Sequence, residues 1–126
     1  MDFTMTKTVQ AGVEVHAVVG DIDALSVAEF NELLTAAVES TCDSPAKAFV
    51  LDMNSVSFCS VGGLKALLTA QRSARSAGVH MAVTAGTPVM DRALTLADPA
   101  RTISSYADRA HALRECASMA DHAARG

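Results

Sequence analysis

The sequence predicts an α/β domain: a mostly parallel sheet of about four or five strands, an antiparallel opening strand and about four helices. Three observations lead there. Residues 47–68 read as strand, loop and helix, beginning with the apolar run Ala48 to Met53, which suits a central parallel strand buried on both faces. Val13, Val15, Ala17 and Val19 alternate with Glu14, His16 and Val18, a strand pattern that follows the turn-like Gln10-Ala11-Gly12. Further along the chain, helix starts and strand patterns take turns.

The elements follow in order. Residues 3–9, rich in threonine, read as a first edge strand, and the alternating stretch as a second that ends at Gly20-Asp21-Ile22-Asp23. Ser26 with Glu29 three residues later has the form of a capping box. The helix it opens carries an apolar stripe of Val27, Phe30, Leu33, Leu34, Ala37 and Val38. Thr41 to Ala46 is a polar loop. After the strand at Ala48–Met53, Asn54-Ser55 supplies turn chemistry, and Val56 and Phe58, two apart, point to one side of an extended segment. Gly62-Gly63 permits a tight turn into a helix on Leu64, Leu67 and Leu68, with bare N–H groups at its start. That helix runs to about Ala77, and Gly78 closes it. Val79 to Thr84 is a strand with Val79, Met81 and Val83 on one side. Thr87-Pro88 starts a short helix on Val89, Ala93, Leu94 and Ala97, and Asp98-Pro99 stops it. Ile103 to Tyr106 is a last short strand. An Ala-rich helix from about Asp108 to Ala123 is expected to bury Ala110, Leu113, Ala117 and Ala120.

Composition bounds the function. The chain has 126 residues, enough for one domain with its own core; half is apolar but only 4% aromatic, so Ala, Val, Leu and Met must build that core. Net charge is −4 with no basic patch, which argues against nucleic acid. Apolar runs fall well short of a membrane span, and the N-terminal residues lack the apolar region of a secretion signal. The cysteines Cys42, Cys59 and Cys116 are odd in number and far apart, which suits a reducing cytoplasm better than a disulfide framework. His16, His80, His111 and His122 show no metal-ligand spacing, and no nucleophile–base pair, phosphate loop or dinucleotide fingerprint is present. The expectation is a protein without cofactor or metal that is not an enzyme.

Gly20-Asp21-Ile22-Asp23 before a helix, and then Val50-Leu51-Asp52 with Val56-Ser57-Phe58-Cys59-Ser60-Val61-Gly62-Gly63-Leu64, resemble a STAS domain. These are the domains of anti-sigma factor antagonists and of sulfate transporter tails. The resemblance covers roughly residues 8–116 of a single domain over residues 1–126 and includes Pro88 in the third helix. Phe58, Cys59, Gly63 and Leu64 keep the family's loop pattern. Ser60 stands where the family usually has Asp, Val61 where it has the phosphorylated Ser, and Gly62 where it has a further hydroxyl residue.

The resemblance implies a cytoplasmic bacterial regulator of transcription that works by protein binding. Its partner is an anti-sigma factor with an ATPase and serine-kinase fold. Unphosphorylated, such an antagonist binds that factor and frees a sigma factor; phosphorylated, it lets go. The implied surface comprises Asp21, Asp23 and Ala24, then Ser57, Cys59, Ser60, Val61, Gly62 and Gly63, then Lys65, Thr69 and Arg72 on the next helix. Val61 cannot take a phosphate, so Ser60 is the candidate phosphosite. The chain is expected as a monomer or weak homodimer. One alternative is a non-catalytic STAS scaffold or transport-complex subunit. A distant one is a receiver-like phosphoacceptor with Asp52 as acceptor, Asp21 and Asp23 as magnesium-holding acids and Thr84 as hydroxyl. Against it, the lysines Lys7, Lys47 and Lys65 do not follow the last strand. Simpler roles accompany each residue: helix-start charge for Asp21 and Asp23, a small apolar side chain for Cys59, a solvated face for Lys65, Arg72 and Arg75.

Overall fold

The computed structural model describes residues 2–125, with side chains described as far as Met119. Its elements are β1 (Phe3–Gln10), β2 (Val13–Ile22), α1 (Val27–Cys42), β3 (Ala48–Cys59), α2 (Val61–Ser76), β4 (His80–Thr84), α3 (Pro88–Ala97), β5 (Ser104–Tyr106) and α4 (Arg109–Arg125). The strands form one five-stranded sheet in the order β1-β2-β3-β4-β5. β1 and β2 are an antiparallel hairpin, and the remaining neighbours are parallel. Ala11 and Gly12 both have positive φ, 53° and 78°, as a two-residue hairpin turn requires.

This order explains the layers. Each parallel step crosses over right-handedly in the same direction, so α1, α2 and α3 fall on one face of the sheet. Phe30, Leu34, Leu67, Met90 and Leu94 from those helices share a cluster with Phe49, Leu51, Met53, Met81 and Val83 of the strands. Phe3 meets Phe30 edge-on at 5.6 Å and ties β1 to α1. On the opposite face α4 sets Ala112 and Cys116 against Val13, Val15, Ala48, Val50 and Ala82. Small side chains there let the helix approach closely. The Thr4, Thr6 and Thr8 side chains of β1 are exposed.

Four expectations are corrected. Asn54-Ser55 is not a turn: β3 runs on to Cys59, and its pairing with β2 slips twice, between Ala17 and Val19 and between Gly20 and Asp21. In each slip β3 has one more residue than β2, so the turn-forming residues bulge the strand without ending it. Val56 and Phe58 therefore lie on different sides; Val56 is 1% exposed in the core, and Phe58 is 53% exposed. Second, β2 continues through Gly20-Asp21-Ile22. Third, Ser26 does not cap α1 with its side chain; it turns back to Asp23. Fourth, the buried stripe of α4 is Ala112 and Cys116, whereas Ala110 is exposed and Leu113 and Ala117 are half-buried; Ala120 lies outside the described side chains.

Candidate functional site

The site sits where the ends of β2 and β3 meet the starts of α1 and α2. Ser60 holds the junction. Its N–H donates to the Ile22 carbonyl at 2.8 Å, and its Oγ accepts from the Gly63 N–H at 3.2 Å as the side-chain N-cap of α2. The helix thus begins at Val61, ahead of the expected start at Gly62 or Gly63, and one of its first N–H groups is not bare. Half-exposed Ser60 keeps its hydroxyl near the surface.

The two glycines answer to the chain's own packing. A Cβ on Gly63 would lie 2.6 Å from Cys59 Sγ and 2.9 Å from Ile22 Cγ2; one on Gly62 would lie 3.1 Å from Val27 Cγ2. Neither has positive φ, so close approach of α2 to β2, β3 and α1 selects them, not an unusual turn. Gly63 is buried, which removes it from the expected contact surface. Cys59 packs partly into the core, and burial pushes its thiol up to about 11, so it stays protonated at neutral pH.

Across the junction Asp23 organises the approach to α1. Its Oδ1 accepts from the Ser26 hydroxyl at 2.7 Å and from the Leu25 and Ser26 N–H groups at 3.0 Å each. These bonds order the turn that precedes α1; they do not replace the cap suggested by the Ser26–Glu29 pattern, since the N-cap residue Ser26 makes no side-chain cap hydrogen bond. The Ser26 hydroxyl foremost, with those N–H groups, holds the Asp23 carboxyl below the usual range despite some desolvation. The turn leaves Leu25 95% exposed, next to exposed Ala24; Phe58 at 53% and Val61 at 68% are exposed on the β3–α2 side of the junction. Ser57, Lys65, Thr69 and Arg72 are exposed, and Asp21, half-buried, pairs with Phe58. The structure therefore brings the β2–α1 turn and the β3–α2 junction together, with Lys65, Thr69 and Arg72 extending along α2.

The sequence reading missed Leu25 as a surface residue, and it did not separate exposed Phe58 from buried Val56. Period-two alternation put Phe58 with Val56, and nothing local announces a bulge.

Asp52 serves a different purpose. It is 9% exposed, and its Oδ1 accepts from the Asn54 N–H at 3.0 Å and the Thr84 hydroxyl at 2.9 Å. Its Oδ2 accepts from Arg109 Nε at 2.8 Å and lies 2.7 Å from Nη2, an ion pair on one carboxylate oxygen that fixes the start of α4 to the sheet. Burial alone would raise the Asp52 carboxyl, but the Asn54 N–H, Arg109 and Thr84 together hold it below the usual range. Asp52 and Thr84 do meet, as the receiver alternative required, but both carboxylate oxygens are engaged by this brace. No group of three or more His, Cys, Asp or Glu that could hold a metal occurs among the described residues.

A family model for the STAS domain matches residues 4–112. The chain belongs to the STAS domain family. In structure it is similar to an anti-sigma factor antagonist from Mycobacterium paratuberculosis, with 25% identity, a TM-score of 0.79, and 91% of this chain and 94% of that one covered. It shares its fold with the anti-sigma factor antagonist SpoIIAA in unphosphorylated form, at 12% identity and TM-score 0.64 over 90% of this chain and 96% of that one. The phosphorylated form of SpoIIAA, the Bacillus cell fate determinant, gives 13% identity and TM-score 0.63 over 90% and 98%. No curated protein matches by sequence. The STAS fold accounts for the opening hairpin and the parallel strands after it. Among the described residues no helix is long and apolar enough to cross a membrane.

Proposed function

We propose that this STAS domain is a cytoplasmic anti-sigma factor antagonist that binds an anti-sigma factor of ATPase and kinase fold and so frees a sigma factor. Its work is binding, not chemistry. The observation that carries the reading is the joined surface of the β2–α1 turn and the β3–α2 junction, where Leu25, Phe58 and Val61 are exposed beside Asp21, Asp23, Ser57 and Ser60. Exposed apolar and polar residues on two segments that meet suit a protein interface. The likeness to the mycobacterial antagonist supports the class of partner.

Regulation rests on Ser60 in this reading. Val61 has no hydroxyl, and Ser60 is half-exposed at the N-cap of α2. A phosphate there would bring about −1.5 to −2 charges to a helix start that favours anions. It would therefore act by charge and bulk against the partner, leaving α2 intact.

The test is a pull-down with wild type and Ser60→Ala, followed by incubation of the captured kinase with ATP. Phosphate on the wild type and none on Ser60→Ala supports the switch. Capture without phosphorylation supports a constitutive antagonist. Failure to capture any such kinase removes the antagonist reading and leaves a STAS scaffold. Within the antagonist reading, Leu25→Asp and Val61→Asp should each weaken capture about tenfold or more, because a charge would sit in the apolar centre.

A further inference from the structure

The two edges of the sheet are finished differently. β5 is a three-residue strand, Ser104–Tyr106, too short to template another chain. β1 is eight residues long, Phe3–Gln10, and its register against β2 runs unbroken from Phe3↔Gly20 to Gln10↔Val13. It has no proline and no bulge, and its single charge, Lys7, leans back to within 3.9 Å of Glu14 on β2. Apart from Lys7, the usual devices that protect an edge strand are missing from it. Thr4, Thr6 and Thr8 are exposed on one face, and Val9 is 63% exposed on the other.

We propose that β1 is the seam of a homodimer, paired antiparallel with β1 of a second copy about a two-fold axis at Thr6. The strand is its own complement in that register. Directly opposed residues of an antiparallel pair share a face, so a two-fold that keeps both helical layers on one side must oppose threonines with threonines. Centring on Thr6 places Thr4 opposite Thr8, Met5 opposite Lys7 and Phe3 opposite Val9. Centring on Lys7 would set two ammonium groups against each other, and centring on Met5 would shorten the overlap. Only the Thr6 register uses the strand from Phe3 to Val9, gives exposed Val9 an apolar neighbour and keeps the lysines off the axis. The result joins two five-stranded sheets into one.

Sedimentation equilibrium tests this. Wild type should form a dimer that dissociates on dilution, and amide exchange in β1 should slow as concentration rises. Thr4→Lys/Thr8→Lys opposes lysine to lysine twice and should be monomeric. Thr4→Lys/Thr8→Glu opposes lysine to glutamate twice and should dimerise again. These side chains are solvent-exposed, and circular dichroism checks that both variants fold; should the double lysine variant unfold, Thr6→Lys, which opposes like charges on the axis, takes its place. A wild type that stays monomeric at every concentration overturns the proposal, as does dimerisation indifferent to the double lysine change. Equal loss in both double variants overturns it as well, since the register then fails.

Discussion

At the scale of single residues, two positions carry structural weight: Gly63 at the site and Arg109 at the start of α4. Gly63 lets α2 lie on Ile22 and Cys59. Gly63→Ala should destabilise the fold by about 1–3 kcal/mol through overpacking, read from urea unfolding. The double variant Gly63→Ala/Cys59→Ala should recover part of that loss, because one of the two clashing atoms is then gone. Arg109 is the other. Removing it leaves the Asp52 carboxylate buried without its charge partner. Arg109→Ala should cost about 2–3 kcal/mol, less than a fully buried pair because the arginine side chain is 35% exposed. Asp52 is held below the usual carboxylate range, so its contribution to stability is present above about pH 3.9 and is lost as pH falls through the lower folded value. The variant should lose part of that acid-side slope, measured as unfolding free energy against pH.

At the scale of elements, β3 shows how local chemistry and pairing combine. Asn54 and Ser55 are turn residues, yet β2 on one side and β4 on the other keep the chain extended through its first half, and the surplus is absorbed as bulges beside β2. Asp52 binds the Asn54 N–H, and Asn54 Oδ1 accepts from the Gly86 N–H after β4, so the first bulge is tied at Asn54. The bulges turn Phe58 outward and so make the exposed apolar surface. At the other strand-to-helix junctions Thr87 caps α3 as the sequence suggests, and Ser60 caps α2, where the sequence suggested bare N–H groups. Thr87 and Ser60 both have extended backbones and accept from the third N–H onward, whereas Ser26 has helical φ and ψ and cannot. Thr87→Ala should therefore cost about 1 kcal/mol, and Ser26→Ala should act through Asp23 and the β2–α1 turn instead. Asp98 does more than stop α3: it accepts from the Thr102 N–H and hydroxyl and from the Ile103 N–H, and so holds the loop that leads to β5.

At the scale of the whole molecule, the sheet carries three helices on one face and one on the other, and two imidazoles lie within it. His16 on β2 is 6% exposed, bonded to Glu14 at 3.0 Å and edge-on to Phe49 at 5.5 Å. Burial is the main cause that lowers its pKa from the usual value, with Glu14 opposing; burial likewise lowers that of His80 on β4. Both favour the neutral form when folded, so their linkage term is at its full value above about pH 6.5 and is lost as pH falls through the lower folded values. The urea midpoint should fall between neutral and mildly acidic pH, and His80→Gln should flatten part of that fall. This loss precedes the one due to Asp52 as acid is added.

What the sequence determined by itself is the element order, the hairpin turn at Ala11-Gly12, the Thr87 cap and the inward set Val79, Met81 and Val83, because each is settled by neighbours within a few residues. It also carried the STAS pattern from Phe58 to Leu64, including Val61 in place of a hydroxyl residue. Tertiary structure alone decided the rest. The bulges of β3 depend on register with β2; the shifted stripe of α4 depends on which helix face meets small residues such as Val50 and Ala82; the brace from Asp52 to Arg109 joins residues 57 apart in the chain. Gly63 reads as a turn in one dimension and proves to be a packing contact in three. Spacing reports periodicity along one strand or helix, but which face is outside follows from what lies across the sheet.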